Sequence, residues 1–356
     1  MRKEQNKNIL ARMFAELNIC GNFTFLKGAS HGEEYVRRAG LLGMPALAIA
    51  DENSVAGIVR AHTETRELAR WARLRQEADK TPIGPPCPGH IAHPPSADIS
   101  NVPRLIPAAK SVLRDGFTVT ALPQNRQGWA HLCRLLTKGR LRAEKGTCDL
   151  KFDDLVEWGA DMALLIHPNP NHPAHDTDRW TRQVGQLNKR FAGACYLMMA
   201  PAYDGQDDRR FADQAGLATR LGLPTVASAA PIMHHGRRRK LADVMTAVRT
   251  GTRVDRLGRA ALANGEQRLR SQAEMLRLFG GHEEAVHRAG EIADSLTFSL
   301  DELRYEYPSE IAKGETPSQR LERLARKGLK WRYPGGAPER VRNLLDHELR
   351  LIAKLK

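Results

Sequence analysis

Acids and imidazoles placed at the ends of short apolar runs are where this sequence could do chemistry. The run 47–50 stops on Asp51-Glu52, the phrase Gly28-Ala-Ser-His31 stands before an amphipathic stretch, and the run 224–228 is followed by His234-His235. Carboxylates and neutral imidazoles drawn together hold divalent cations, which polarise phosphate esters and supply hydroxide at neutral pH. His90 and His93 fall in a Pro-rich stretch, and His167, His172 and His175 in a loop of Pro and Asn. Both have ligand-like composition without a rigid scaffold, so solvated histidines and a turn are the expectation there. The sequence contains no Gly-x-x-x-x-Gly-Lys-Ser/Thr loop, no Gly-x-Gly-x-x-Gly, no His-Glu-x-x-His and no Gly-x-Ser-x-Gly.

The elements that must position these residues follow from periodicity. Tyr35, Val36, Ala39 and Leu42 recur at helical spacing, and 46–50 is a short apolar run bounded by Pro45 and Asp51, so 14–57 reads as one β-α-β unit. Asp51 then stands at a strand's carboxyl end, where α/β sheets and barrels carry their chemistry. Rather than bind a metal, Asp51 is expected to cap the helix that follows and anchor the turn, and Ser54 is a further cap candidate. Strand-like runs at 104–109 and 116–122 flank an Arg114-Asp115-Gly116 turn, and alternating strands and helices continue to about 250. This predicts a mainly parallel sheet with helices outside it, in more units than an open sheet holds. Beyond 250 only helical patterns remain, two of them entered through Thr316-Pro317 and Ala337-Pro338. The expected division is a lead-in 1–13, an α/β barrel 14–250 with a Pro-rich insert at about 77–103, and a helical connector 251–356.

Several phrases resemble the polymerase and histidinol phosphatase (PHP) domain that opens bacterial C-family DNA polymerases, the damage-associated, error-prone branch above all. They are Glu16, Asn22-Phe-Thr-Phe-Leu26, Gly28-Ala-Ser-His31, Asp51-Glu-Asn-Ser54 with Gly57, the run 132–140, and Phe298-Ser-Leu-Asp-Glu-Leu-Arg-Tyr-Glu-Tyr-Pro308. The resemblance implies an irregular PHP-type β/α barrel leading towards a polymerase core. It also implies a polymerase that crosses damaged templates with deoxynucleoside triphosphates, its magnesium held by palm aspartates outside these residues.

An active PHP domain binds a divalent metal cluster, and the matching positions here are poorly equipped for it. Asn18 and Cys20 stand where the family has His-x-His, and Asp51-Glu52 where it has Asp-His. Lys110 falls near a family Glu, and Ala230 and Ile232 stand where the family has Asp-x-His. His234 and His235 follow, without neighbouring ligands, as surface histidines. The expectation is a decayed metal site, no cofactor in this region and a structural role.

The chain carries a formal charge of +14 and a pI near 9.8, which points to an anionic partner, DNA first. Two basic clusters are the candidate contacts with DNA or protein: Arg134, Lys138, Arg140, Arg142 and Lys145, and then Arg237, Arg238, Arg239 and Lys240. The first suits a helix carboxyl end, whereas the second stands at a helix start, where cations oppose the macrodipole and have more reason to meet phosphate. Five cysteines without a Cys-x-x-Cys pair and no long apolar run predict a cytoplasmic protein without membrane contact. Other replication or mutagenesis proteins are further expected partners. The competing readings are a stand-alone binding module and, less favoured by the residues present, a working PHP phosphoesterase.

Overall fold

The computed structural model describes residues 13–78, 102–168, 177–304 and 314–355. The lead-in up to residue 12, most of the Pro-rich insert with His90 and His93, and His172 and His175 lie outside the described residues. Seven strands form one sheet in sequence order: β1 Glu16–Ile19, β2 Ala46–Glu52, β3 Arg104–Val112, β4 Thr118–Pro123, β5 Met162–Ile166, β6 Cys195–Met199 and β7 Thr225–Ala227. β1 to β3 run parallel, as do β5 to β7. The sheet is thus mainly parallel, as expected, and β4 alone opposes both its neighbours. The reason is the tight β3–β4 turn, where Gly116 takes φ +86°, a conformation that favours glycine.

Helices cover the curled sheet. They are α1 Gly32–Leu41, α2 Ile58–Ala78, α3 Arg126–Arg142, α4 Phe152–Trp158, α5 Thr177–Arg190, α6 Asp207–Leu221, α7 Arg239–Thr250, α8 Gln272–Leu278 and α9 Glu283–Ser295. α1 buries Tyr35, Val36 and Ala39, and at its start the His31 N–H donates to Glu34 Oε2 at 2.9 Å. α2 starts at Ile58, and Ser54 does not cap it: the Ser54 hydroxyl accepts from Ala56 N within the preceding turn.

The chain divides into two compact units, 1–303 and 304–356. The first therefore runs past residue 250 and takes in α8 and α9. Phe279, just after α8, stacks on Phe211 of α6 with ring centroids 4.2 Å apart, and Phe298 stacks on Trp129 of α3 at 5.5 Å. Those contacts tie the chain after 250 to the sheet's own helices. The second unit holds α10 Pro317–Arg332 and α11 Glu339–Leu355, and Arg326 of α10 meets Asp346 of α11 at 3.2 Å.

β1 and β7 share no ladder, and a single carboxylate spans the gap between them. Glu16 Oε1 accepts from Ser228 Oγ at 2.5 Å and Asn18 N at 3.1 Å, while Oε2 accepts from Ala229 N at 2.8 Å. Cys20 N donates to Pro231 O at 3.0 Å just beyond. Glu16 is fully buried among neutral donors, and burial pushes its pKa up to about 7.

Candidate functional site at the strand mouth

The carboxyl ends of β2 and β3 and the segments after β5 to β7 open onto a cleft of about 1240 Å³. Asn18, Glu52, Lys110, His167 and Ala230 all line it, so strand register gathers residues far apart in sequence. Glu52 and Lys110 are register partners on β2 and β3, which puts their side chains on one face. Lys110 Nζ lies 3.5 Å from Glu52 Oε1, and Lys27 Nζ lies 2.6 Å from Glu52 Oε2. Two ammonium groups thus meet one carboxylate at the mouth. Hydrogen bonding from Lys27 and the charge of Lys110 outweigh partial burial, the largest single influence, and hold the Glu52 pKa below its ordinary value.

Asn18, Thr120 and His167 form a second group across the inside of the curl. Thr120 Oγ1 donates to Asn18 Oδ1 at 2.8 Å and lies 2.8 Å from His167 Nε2. A hydroxyl has one proton, so with that proton on Asn18 the hydroxyl accepts from His167 Nε2–H. Burial, aided by the Lys110 charge, pushes the His167 pKa well below its ordinary value, so the ring is neutral. The His167 loop was expected to be a plain turn; its first residue is instead part of the cleft wall. Only the three-dimensional pairing of β4 with β5 reveals this, because no spacing rule links Thr120 to His167.

Asp51 alternates to the opposite face from Glu52 and is buried. It does not cap the helix that follows: its Oδ1 accepts from Thr24 N at 3.0 Å and Thr24 Oγ1 at 2.8 Å, holding the turn after β1. Its Oδ2 is buried without a partner, and burial raises the pKa to about 6. A side chain on Gly57 would run into that oxygen, since a Cβ there would lie 2.3 Å from Oδ2. The Cys20 thiol is pushed up by burial to about 11 and is protonated at neutral pH. Ile232 contributes a backbone acceptor to Ala29 N at 2.7 Å.

His234 and His235 are more engaged than surface histidines. His234 Nδ1 lies 2.8 Å from Ser30 Oγ, and His235 Nδ1 accepts from Arg237 N, capping a short helical turn. Among the described residues no three His, Cys, Asp or Glu side chains form a group able to hold a metal ion.

Most of the expected basic contacts are engaged by partners within the chain, though they stay at the surface. Arg134 lies over the Trp158 ring at 5.2 Å, and Lys138 meets Glu157 at 2.5 Å and Asp154 at 3.3 Å. Arg142 also pairs with Asp154, at 2.7 Å, and Arg140 donates to Asn53 O at 2.6 Å. Arg238 pairs with Glu34, and Arg239 donates to Leu262 O at 2.7 Å. Among the described residues the side chains of Lys145, Arg237 and Lys240 have no such partner.

The structure defines a curled, mixed α/β half-barrel with a charged cleft at its strand ends. Comparison with known proteins gives the particular relationship. The chain is 44% identical over 352 residues to the error-prone DNA polymerase of Ruegeria pomeroyi, covering 96% of this chain and 31% of that protein. It is 38% identical over 340 residues to that of Sinorhizobium medicae, covering 95% and 27%. This chain is therefore homologous to part of the error-prone DNA polymerases and spans 27 to 31% of the length of these two. No family model matches it. Solved structures of a metal-dependent phosphoesterase from Bifidobacterium adolescentis and an amidohydrolase from Chromobacterium violaceum align with TM-scores of 0.37 and 0.39, each at 12% identity. They cover 61% and 62% of this chain and 86% and 87% of those chains, and are too distant to bear on function. No helix among the described residues is long and apolar enough to cross a membrane.

Proposed function

We propose that this chain is the PHP-type scaffold of an error-prone DNA polymerase, whose full-length form extends primers across damaged templates during mutagenic repair. The observation that carries the reading is the 44% identity sustained over 352 residues. DNA and deoxynucleoside triphosphates are the substrates of that full-length protein, and its magnesium belongs to a palm domain outside these residues.

The strand mouth does not fit a divalent metal cluster, and we derive no hydrolytic step through one. Lys110 and Lys27 already neutralise Glu52, and a dication beside two ammonium groups meets strong repulsion. The thiol of Cys20 is held protonated, and the Asn18 oxygen accepts from Thr120. The role that remains for the mouth is mechanical: its internal pairs hold the strand ends in register.

Two measurements test the reading. Metal analysis after manganese or zinc loading, paired with phosphodiester hydrolysis, should find neither stoichiometric metal nor turnover; finding both would restore the phosphoesterase. An immunoblot of source cells after DNA damage should show a band far above 39.7 kDa. A band at 39.7 kDa withdraws the polymerase in favour of a stand-alone binding module.

A further inference from the structure

Loosely engaged positive charge of the first unit also gathers away from both sequence clusters. His62, Arg66, Arg70 and Arg73 of α2 recur at intervals of four, four and three residues, so they form one stripe roughly 16 Å long. The stripe forms one wall of a groove of about 710 Å³, with Ser299 and Asp301 lining the other side. Arg104 holds that side in place: its guanidinium donates to Ala293 O and, at 2.5 Å, to Leu296 O, the carbonyls at the end of α9.

The arginines of the stripe are loosely held. Arg66 approaches Asp301 only to 4.0 Å and Arg70 approaches Glu67 only to 3.8 Å, with about 70% and 69% of their side chains exposed. Arg73 has no acceptor among the described residues. By contrast Lys138 and Arg142 are held at 2.5 to 2.7 Å by acids of their own unit. Exposed guanidinium groups in a row are suited to bidentate contact with successive phosphates. The groove's apolar lining is limited to Ala69 and Leu105, too little to anchor the side chains of an acidic peptide. His62 is the only aromatic ring in the lining, so base stacking contributes little and contact falls on the backbone.

We propose that the groove between α2 and residues 299–301 binds the phosphodiester backbone of nucleic acid without regard to sequence. Naming DNA as that nucleic acid rests on the polymerase reading. Arg66 to Arg73 span roughly 10 Å of helix, and successive phosphates rise about 3.4 Å per strand, so the three arginines cover about three phosphates.

The test is fluorescence anisotropy of the full chain with a labelled 20-base-pair duplex and its single strand, titrated at several salt concentrations. The triple variant R66A/R70A/R73A should weaken binding at least tenfold at low salt and lower the log–log salt slope by about 2 to 3. A larger loss on the duplex or on the single strand identifies which form supplies the phosphates. The variant R126A/R182A/K189A, three exposed cations outside the groove and outside both basic clusters, carries the same change in net charge and should leave affinity within about twofold. Equal loss from both variants, an unchanged salt slope in the first, or equally tight binding of a polyglutamate peptide overturns the proposal. Circular dichroism melts show whether both variants fold. As a replacement should the triple variant fail to fold, R66Q/R70Q keeps long polar side chains and should lower the slope by about 2. Primer extension by the full-length protein on saturating primer-template tests the polymerase reading separately, so a failed groove and a failed polymerase give different results.

Discussion

Glu16 and Glu52 stand on adjacent parallel strands and titrate in opposite directions. Glu16 bridges β1 to the segment after β7, is held by neutral N–H and O–H donors, and has its pKa raised to about 7 by burial. Glu52 lies between two lysines at the mouth, and its pKa is lowered. The difference teaches what each joint is for. Neutral donors give direction without compensating charge, so Glu16 fixes where the sheet closes at an electrostatic cost that grows once it ionises. Ammonium groups compensate charge and tolerate loose geometry, so Glu52 stabilises the mouth while remaining partly wet.

The largest expected effect that tests this contrast is Glu16→Ala. It leaves Ala229 N–H, Asn18 N–H and the Ser228 hydroxyl without their acceptor in a dry seam, at a cost of about 3 to 5 kcal/mol. Urea denaturation reads this directly, and a loss under about 1 kcal/mol would mean that the seam is held elsewhere.

Next comes the pH dependence. Below the ordinary Glu pKa of 4.5, Glu16 is protonated folded and unfolded alike; between 4.5 and about 7 the folded state holds the extra proton, so stability falls as pH rises. The full penalty, roughly 3 kcal/mol, is present above pH 7. Glu52 has the opposite sign, its contribution present above the ordinary carboxylate range and lost as pH falls through its lowered pKa. Glu16→Gln should therefore flatten the fall in stability between pH 4.5 and 7, leaving a residue from Asp51, whose pKa is raised to about 6. An unflattened profile from chemical denaturation would contradict the assignment of that slope to the seam.

Lys110→Met should cost about 1 kcal/mol or less, since Lys27 still pairs with Glu52 and both partners are partly exposed. Lys110→Glu sharpens the contrast further: a rise in melting temperature with manganese should appear in that variant and be absent from the parent. The smallest effect belongs to Ala230, which joins seam to mouth at φ +46°, a conformation glycine takes without strain. Ala230→Gly should stabilise by a few tenths of a kcal/mol, after the entropic cost of glycine is offset.

The sheet was legible because its strands are short apolar runs, such as Met162–Ile166 and Cys195–Met199, punctuated by turn residues. The reversal at β4 was legible in the Arg114-Asp115-Gly116 turn, which joins two strand-like runs closely enough to pair them antiparallel. Partners were not legible. Lys138 and Glu157 stand 19 residues apart on different helices, and Arg238 and Glu34 stand 204 apart, so a basic run in sequence gave no sign that acids face it. The groove beside α2 was not legible either, because its far wall is carried by a distant part of the chain, held by Arg104 at the end of α9 and by the bond from Thr297 N to Gln124 O. Lys110 and Glu52 were both identified at the mouth; their adjacency is a matter of register, which side-chain periodicity alone does not determine.

The closure of the sheet by Glu16 also sets an order of events during synthesis. Its acceptor oxygens wait for Ser228 and Ala229, 212 and 213 residues further along the chain. At roughly 5 to 20 residues per second, that delay on the ribosome is on the order of 10 to 40 s, long enough for β2 to β6 to assemble first. Through that interval the edge of β1 away from β2 lacks its Glu16 and Cys20 links to the segment after β7, and another unfinished chain can pair on it.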